Sequence, residues 1–220
     1  MDDEKLPETR TAQLDAPVTA RIVRVFLALE LPEAVRVAMG NAQRALRRHG
    51  NLPATWVAAN DARLTLLFFG NVVAVHLPEI VGAVTPIAAR HAAFSLWLDA
   101  LGAFPSLEMP RVIWLGVAGQ RDALTTLQAD ITATMLDVTG VVAERKPFRP
   151  HLTLARVDAR RGQPGVSAVA AALARPFAVP PITWEATRVV LMRTMPGGGG
   201  DGRRRYTMLH AFPLGGIDDG

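Results

Sequence analysis

Two stretches of this chain, "DARLTLLFFG" at 61–70 and "RPHLTLARVD" at 149–158, share a basic residue followed by Leu-Thr-Leu, 88 positions apart. Polar and apolar residues alternate in each, which predicts a β-strand with residues i and i+2 on one face. Arg63 and Thr65 therefore share a face, with Leu64 and Leu66 behind them in the core. His151 and Thr153 share the equivalent face in the second copy. Each copy sits in a half that opens strand–helix–strand. A repeated unit of that kind predicts an α+β fold of two pseudo-symmetric lobes in one continuous domain.

The elements between the copies support that layout. "RIVRVFLALEL" (21–31) is a strand apolar enough to be buried on both faces. Pro32 and Glu33 open a helix with Val35, Met39, Ala42 and Leu46 on one side and Arg36, Arg44, Arg47 and Arg48 on the other; Gly50 stops it. A second strand covers 63–70, and 77–91 reads as a helix that Pro86 should kink or shorten. Strands at 94–104 and 111–118 pair across "PSLEMP". A helix follows at 121–138, with Leu124, Leu127, Ile131, Met135 and Val138 in register. Then come a strand at 151–157, an Ala-rich helix near 166–175, a strand at 182–194 and, after "MPGGGGDG", a last strand at 203–214. Residues 1–20 read as a flexible arm, 21–214 as the bilobal domain and 215–220 as a tail.

The chain has 220 residues, half of them hydrophobic, which suffices for a sizeable core. It has no cysteine, so thiolate metal sites, disulfides and a cysteine nucleophile are excluded. No apolar run reaches the length of a membrane span, and the acidic start has no signal-like core. A cytoplasmic monomer without membrane association is expected. Lysine occurs only at Lys5 and Lys146 among 24 basic residues, and arginine forks suit phosphate better than ammonium groups do.

If the two motif strands face each other, two basic groups and two threonine hydroxyls line one groove suited to a small anion, phosphate above all. Quoted in order, "RVFLALELPEAV", "RLTLLFFGNV", "GAFPS…RVIWLGV", "PFRPHLTLAR" and "LMRT…RYTMLHAFPL" resemble the RNA 2′,3′-cyclic phosphodiesterases, also called 2′-5′ RNA ligases, of the 2H phosphoesterase superfamily. The resemblance runs from about residue 21 to 214. It implies central, mostly antiparallel sheets around a cleft with helices outside. It further implies a metal-independent and cofactor-free enzyme that opens 2′,3′-cyclic phosphate ends of RNA or oligonucleotides to 2′-phosphates. The family uses two H-x-[T/S]-x motifs, whose histidines activate water and protonate the departing ribose oxygen while the threonines bind phosphoryl oxygens. Thr65, His151 and Thr153 match those positions.

Arg63 departs from the pattern. A guanidinium stays protonated at working pH, so it can hold phosphate and stabilise charge but cannot shuttle a proton. A weakened enzyme is one expectation, and a non-catalytic protein that binds nucleotides or RNA ends is the alternative. His49, His76, His91 and His210 are the histidines left to replace the missing one, with His210 on the terminal strand. Arg156 falls on the opposite face from His151 by strand parity, unless the strand bulges there. Arg203, Arg204 and Arg205 are candidate contacts to an RNA backbone. Phe148 and Trp56, each just before a motif, are candidates to stack a nucleobase.

Overall fold

The computed structural model describes residues 21–139, 147–158, 162–179, 181–195 and 205–216. The stretch 1–20, Arg203, Arg204 and most of the tail lie outside those residues, together with the expectations placed on them. Strand β1 (Ile22–Leu29) is buried on both faces, as its composition predicts. Val25, Leu27 and Leu29 enter the main core, and Phe26 and Ala28 form a smaller apolar cluster on the other side. Helix α1 (Glu33–Arg47) starts after Pro32, whose extended backbone (φ −62°, ψ 159°) sets the entry.

Helix α1 buries Val35, Met39, Ala42 and Leu46, and also Gln43. The Gln43 amide donates to the carbonyls of Val57 at 2.7 Å and Leu154 at 2.9 Å, tying α1 to the second motif strand. Gln43→Ala should leave two sheltered carbonyls without that donor and cost about 1–3 kcal/mol, read from urea denaturation. An unchanged midpoint would mean water replaces the amide there.

Two antiparallel sheets form the centre. One runs β3 (Leu64–Val73), β1, β8 (Arg188–Thr194), β9 (Tyr206–Pro213). The other runs β2 (Ala54–Trp56), β6 (His151–Val157), β5 (Val112–Gly119), β4 (Phe94–Phe104), β7 (Thr183–Ala186). The first four-strand order matches β6–β5–β4–β7 in the second. In each, the motif strand lies beside the strand from which a helix leads to it: α1 for β3, and α3 (Arg121–Thr139) for β6. A single core of buried residues runs through both sheets. Helices α2 (Leu77–Arg90) and α3 pack together, and α4 (Gly162–Leu173) follows β6.

Several expectations need correction. The lobes are not the two sequence halves: β2 crosses into the second sheet, and β8 and β9 return to the first. The strand expected over 182–194 is two strands, broken at Thr187, with one piece in each sheet. β2 was not anticipated, because three residues are too few to show a period. Helix α2 continues through Pro86 to Arg90. Pro86 and Gly82 face solvent while Ile80, Val84, Ile87 and Ala88 are buried, so packing holds the helix and the freed carbonyl stays at the surface. Val138 is 38% exposed, not part of the α3 core stripe.

Candidate active site

The short path from β2 to β3 sets the site. β2 lies against β6, the Val57 amide donates to the Leu154 carbonyl at 2.9 Å, and β3 begins at Leu64. Those few residues bring the two motif strands next to each other. His151 and Thr153 are half-buried on one face of β6, while Leu152 and Leu154 are fully buried on the other. Thr65 pairs with Ala28 and so shares the face of the smaller apolar cluster, away from the main core.

Both motif strands bulge at the same place. In β6 the register shifts so that Thr153 faces Trp114 and Ala155 faces Ile113, leaving Leu154 extra. In β3, Thr65 faces Ala28 and Leu67 faces Leu27, leaving Leu66 extra. Each bulge reverses the alternation beyond it. Arg156, assigned to the far face by parity, therefore joins His151 and Thr153, and it is exposed. Phe68 is its counterpart beside Thr65, and it is 51% exposed. The adjacent apolar residues in "LTLLF" and "LTLAR" were the available signal, since two apolar residues in a row interrupt a period of two.

His151 is held from several sides. Its Nδ1 lies 2.7 Å from the Arg149 carbonyl, which accepts only, so Nδ1 carries the proton and the lone pair of the neutral ring is on Nε2. The imidazole meets Phe104 edge-on at 5.0 Å between centroids and Trp114 at 6.2 Å. The Trp114 indole lies over Gly102, where an added Cβ would come within 2.2 Å of the ring. Gly102→Ala should push the indole off the strand, cost about 1–3 kcal/mol and disturb His151 as well. A thermal midpoint and a Trp114 fluorescence spectrum identical to the parent's would contradict this.

Arg63 stands at the entry of β3. Its Nη1 donates to the carbonyls of Asn60 at 2.8 Å and Ala62 at 2.6 Å. Burial and the nearby Arg36 push its pKa below the usual arginine value, while Asp61, Glu30 and Tyr206 pull the other way. An arginine so placed stays a cation at working pH. Asp61 is itself buried, and its Oδ1 accepts the Arg205 amide at 3.2 Å. That bond brings the start of β9 to the turn before Arg63. The Arg205 guanidinium lies 5.9 Å from the centre of the Tyr206 ring, which itself packs against Phe26 and Met192.

The other histidines stand elsewhere. His76 pairs with Glu79 at 3.1 Å, and His91 with Asp130 at 2.9 Å, both at helix ends. The His91 and Arg90 hydrogen bonds draw the Asp130 carboxyl below the usual carboxylate range. His49 is exposed just past α1. His210 faces Leu191, a main-core residue, and stacks at 4.6 Å on Phe212, so it lies on the opposite side of the sheet from Thr65. Phe148 and Trp56 both pack against the main core, with Arg47 covering the Trp56 ring at 4.7 Å. The aromatic ring left open beside a motif is Phe68.

The two sheets each carry a basic-x-Thr sequence on or at the mouth of equivalent strands. A family model for the 2′-5′ RNA ligase superfamily matches residues 38–198, and the chain belongs to that superfamily. It is 32% identical over 207 residues, 90% of its length, to an RNA 2′,3′-cyclic phosphodiesterase of Geobacillus stearothermophilus. The chain spans 54% to 65% of the length of the first curated relatives it matches. Among solved structures, a protein of Thermus thermophilus superposes with a TM-score of 0.67 at 28% identity, covering 89% of this chain and all of the other. The LigT protein of E. coli complexed with 3′-AMP superposes with a TM-score of 0.63 at 26% identity, over 88% of this chain and 99% of LigT.

Proposed function

We propose that this chain is an RNA 2′,3′-cyclic phosphodiesterase, producing 2′-phosphate ends at a rate reduced by the absence of one motif histidine. The observation that carries the reading is His151, with its tautomer set by the Arg149 carbonyl and Thr153 and Arg156 on the same face. Nε2 takes a proton from the attacking water. Thr65 and Thr153 hold phosphoryl oxygens, and Arg63 and Arg156 stabilise the charge that builds on them. Phe68 offers an open ring for the terminal base, and Arg205 a cation for the phosphodiester backbone. The chemistry is acid–base and electrostatic, with no step through a metal or cofactor, and the protein is taken to work as a monomer in the cytoplasm. Among the described residues, no helix is long and apolar enough to cross a membrane.

The test is incubation with an oligonucleotide ending in a 2′,3′-cyclic phosphate. A 2′-phosphate product above the His151→Ala background supports the reading, and none overturns it. Arg63, in place of a titrating group, favours a second reading in which the cleft binds such ends without turnover. A titration at low salt with no affinity for phosphate-terminated nucleotides would remove that one.

A further inference from the structure

We propose that Tyr206 is the general acid that stands in for the missing motif histidine, delivering its hydroxyl proton to the ribose 3′ oxygen as the cyclic phosphate opens. This rests on the hydrolase reading above. If His151 is the base on one wall, the acid must come from the other, because the attacking water and the departing oxygen lie on opposite sides of phosphorus. None of the other four histidines stands on that wall. Four observations place Tyr206 there.

It pairs with Thr194 on β9 and packs with Phe26 and Met192, so its ring shares the face of Thr65 and not that of the main core. Phe26 meets the ring edge-on at 5.0 Å and fixes its plane. The backbone just before it is anchored by the bond from the Arg205 amide to Asp61, two residues ahead of Arg63. Ionised, Tyr206 is the weakest of the three groups that raise the Arg63 pKa, so the two side chains lie within electrostatic reach. A cation beside a phenol stabilises the phenolate that proton donation leaves behind. Arg63 and Tyr206 together then supply what one imidazolium does elsewhere: positive charge from the first, a transferable proton from the second.

The step balances without a further reactant. The water oxygen bonds to phosphorus and its proton passes to His151 Nε2. The bond from phosphorus to the 3′ oxygen breaks, and that oxygen takes the Tyr206 proton. Solvent exchange then returns a proton from His151 to the phenolate.

Tyr206→Phe keeps the ring and removes the proton. It should lower kcat on a 2′,3′-cyclic phosphate about 10²-fold or more. On an aryl phosphodiester, whose phenolate leaves without protonation, it should change kcat less than about threefold. In an Arg63→His background the new imidazole supplies the proton, so Tyr206→Phe should cost far less there than in the parent. A parent protein no faster than His151→Ala rejects the hydrolase reading and this proposal with it. An active parent whose Tyr206→Phe variant matches it on the cyclic phosphate rejects this proposal alone. Equal losses on both substrates also reject it, since they mark a packing role.

Discussion

His151→Ala should reduce turnover of a 2′,3′-cyclic-phosphate oligonucleotide by about 10²–10⁴, the range typical of one positioned proton-transfer group. The substitution leaves Leu152 and Leu154 in the core and removes only the half-buried ring, so folding should persist, which circular dichroism checks. The pH dependence has a definite sign. As the base, His151 must be neutral, so kcat/KM should rise with pH as the ring loses its proton. A second imidazole limb just above neutrality should be missing, because Arg63 does not titrate there. Two clear limbs near pH 7 would show that another group near neutrality has joined the site. An alanine variant as active as the parent would move the chemistry elsewhere.

The second large effect runs the other way. Arg63→His should raise turnover, by up to about 10²–10⁴ less the charge stabilisation that the guanidinium gave and less what the Tyr206 proton already supplies. Leu64, Thr65 and Leu66 already form the frame of the motif, and the residue before Leu64 lies at the mouth of β3 on the Thr65 side. The guanidinium bonds to Asn60 and Ala62 would be lost, so the turn should loosen somewhat. Phosphate binding should weaken, since a permanent cation becomes a partly neutral ring. Single-turnover rates and phosphate titrations on the same preparation separate the two changes. A variant that turns over no faster than the parent would mean Arg63 is suited to its own chemistry and is not a decayed histidine.

How much of this was legible in the chain depends on the length of each signal. The motif faces and the α1 stripe followed from periodicity, because each spans enough residues to show a period, and β1 buried on both sides followed from its unbroken apolar run. The bulges at Leu66 and Leu154 did not, although Leu66–Leu67 and Leu154–Ala155 were there to read. One extra residue on each strand moved Arg156 to the His151 side and Phe68 to the Thr65 side. Tyr206 was invisible for a different reason. Its relation to Arg63 depends on a bond between Asp61 and Arg205, 144 positions apart, which no local pattern announces. The break at Thr187 was equally silent, since "ITWEATRVVLMRT" satisfies the requirements of one strand as well as two.

The exchange of strands has a consequence for the history of the chain. β2 belongs by sequence to the first repeat yet completes the second sheet, and β8 and β9 close the first sheet from the far end of the chain. Cut anywhere between the repeats, neither fragment keeps a closed core: the first loses β8 from beside β1, and the second loses β2 from beside β6. An ancestor with one repeat would have had to form as a pair of identical chains lending strands to each other. Within one chain that exchange is built in, and the two copies need not be identical. An asymmetric pair, histidine on one wall and arginine on the other, is something a symmetric ancestor could not have encoded.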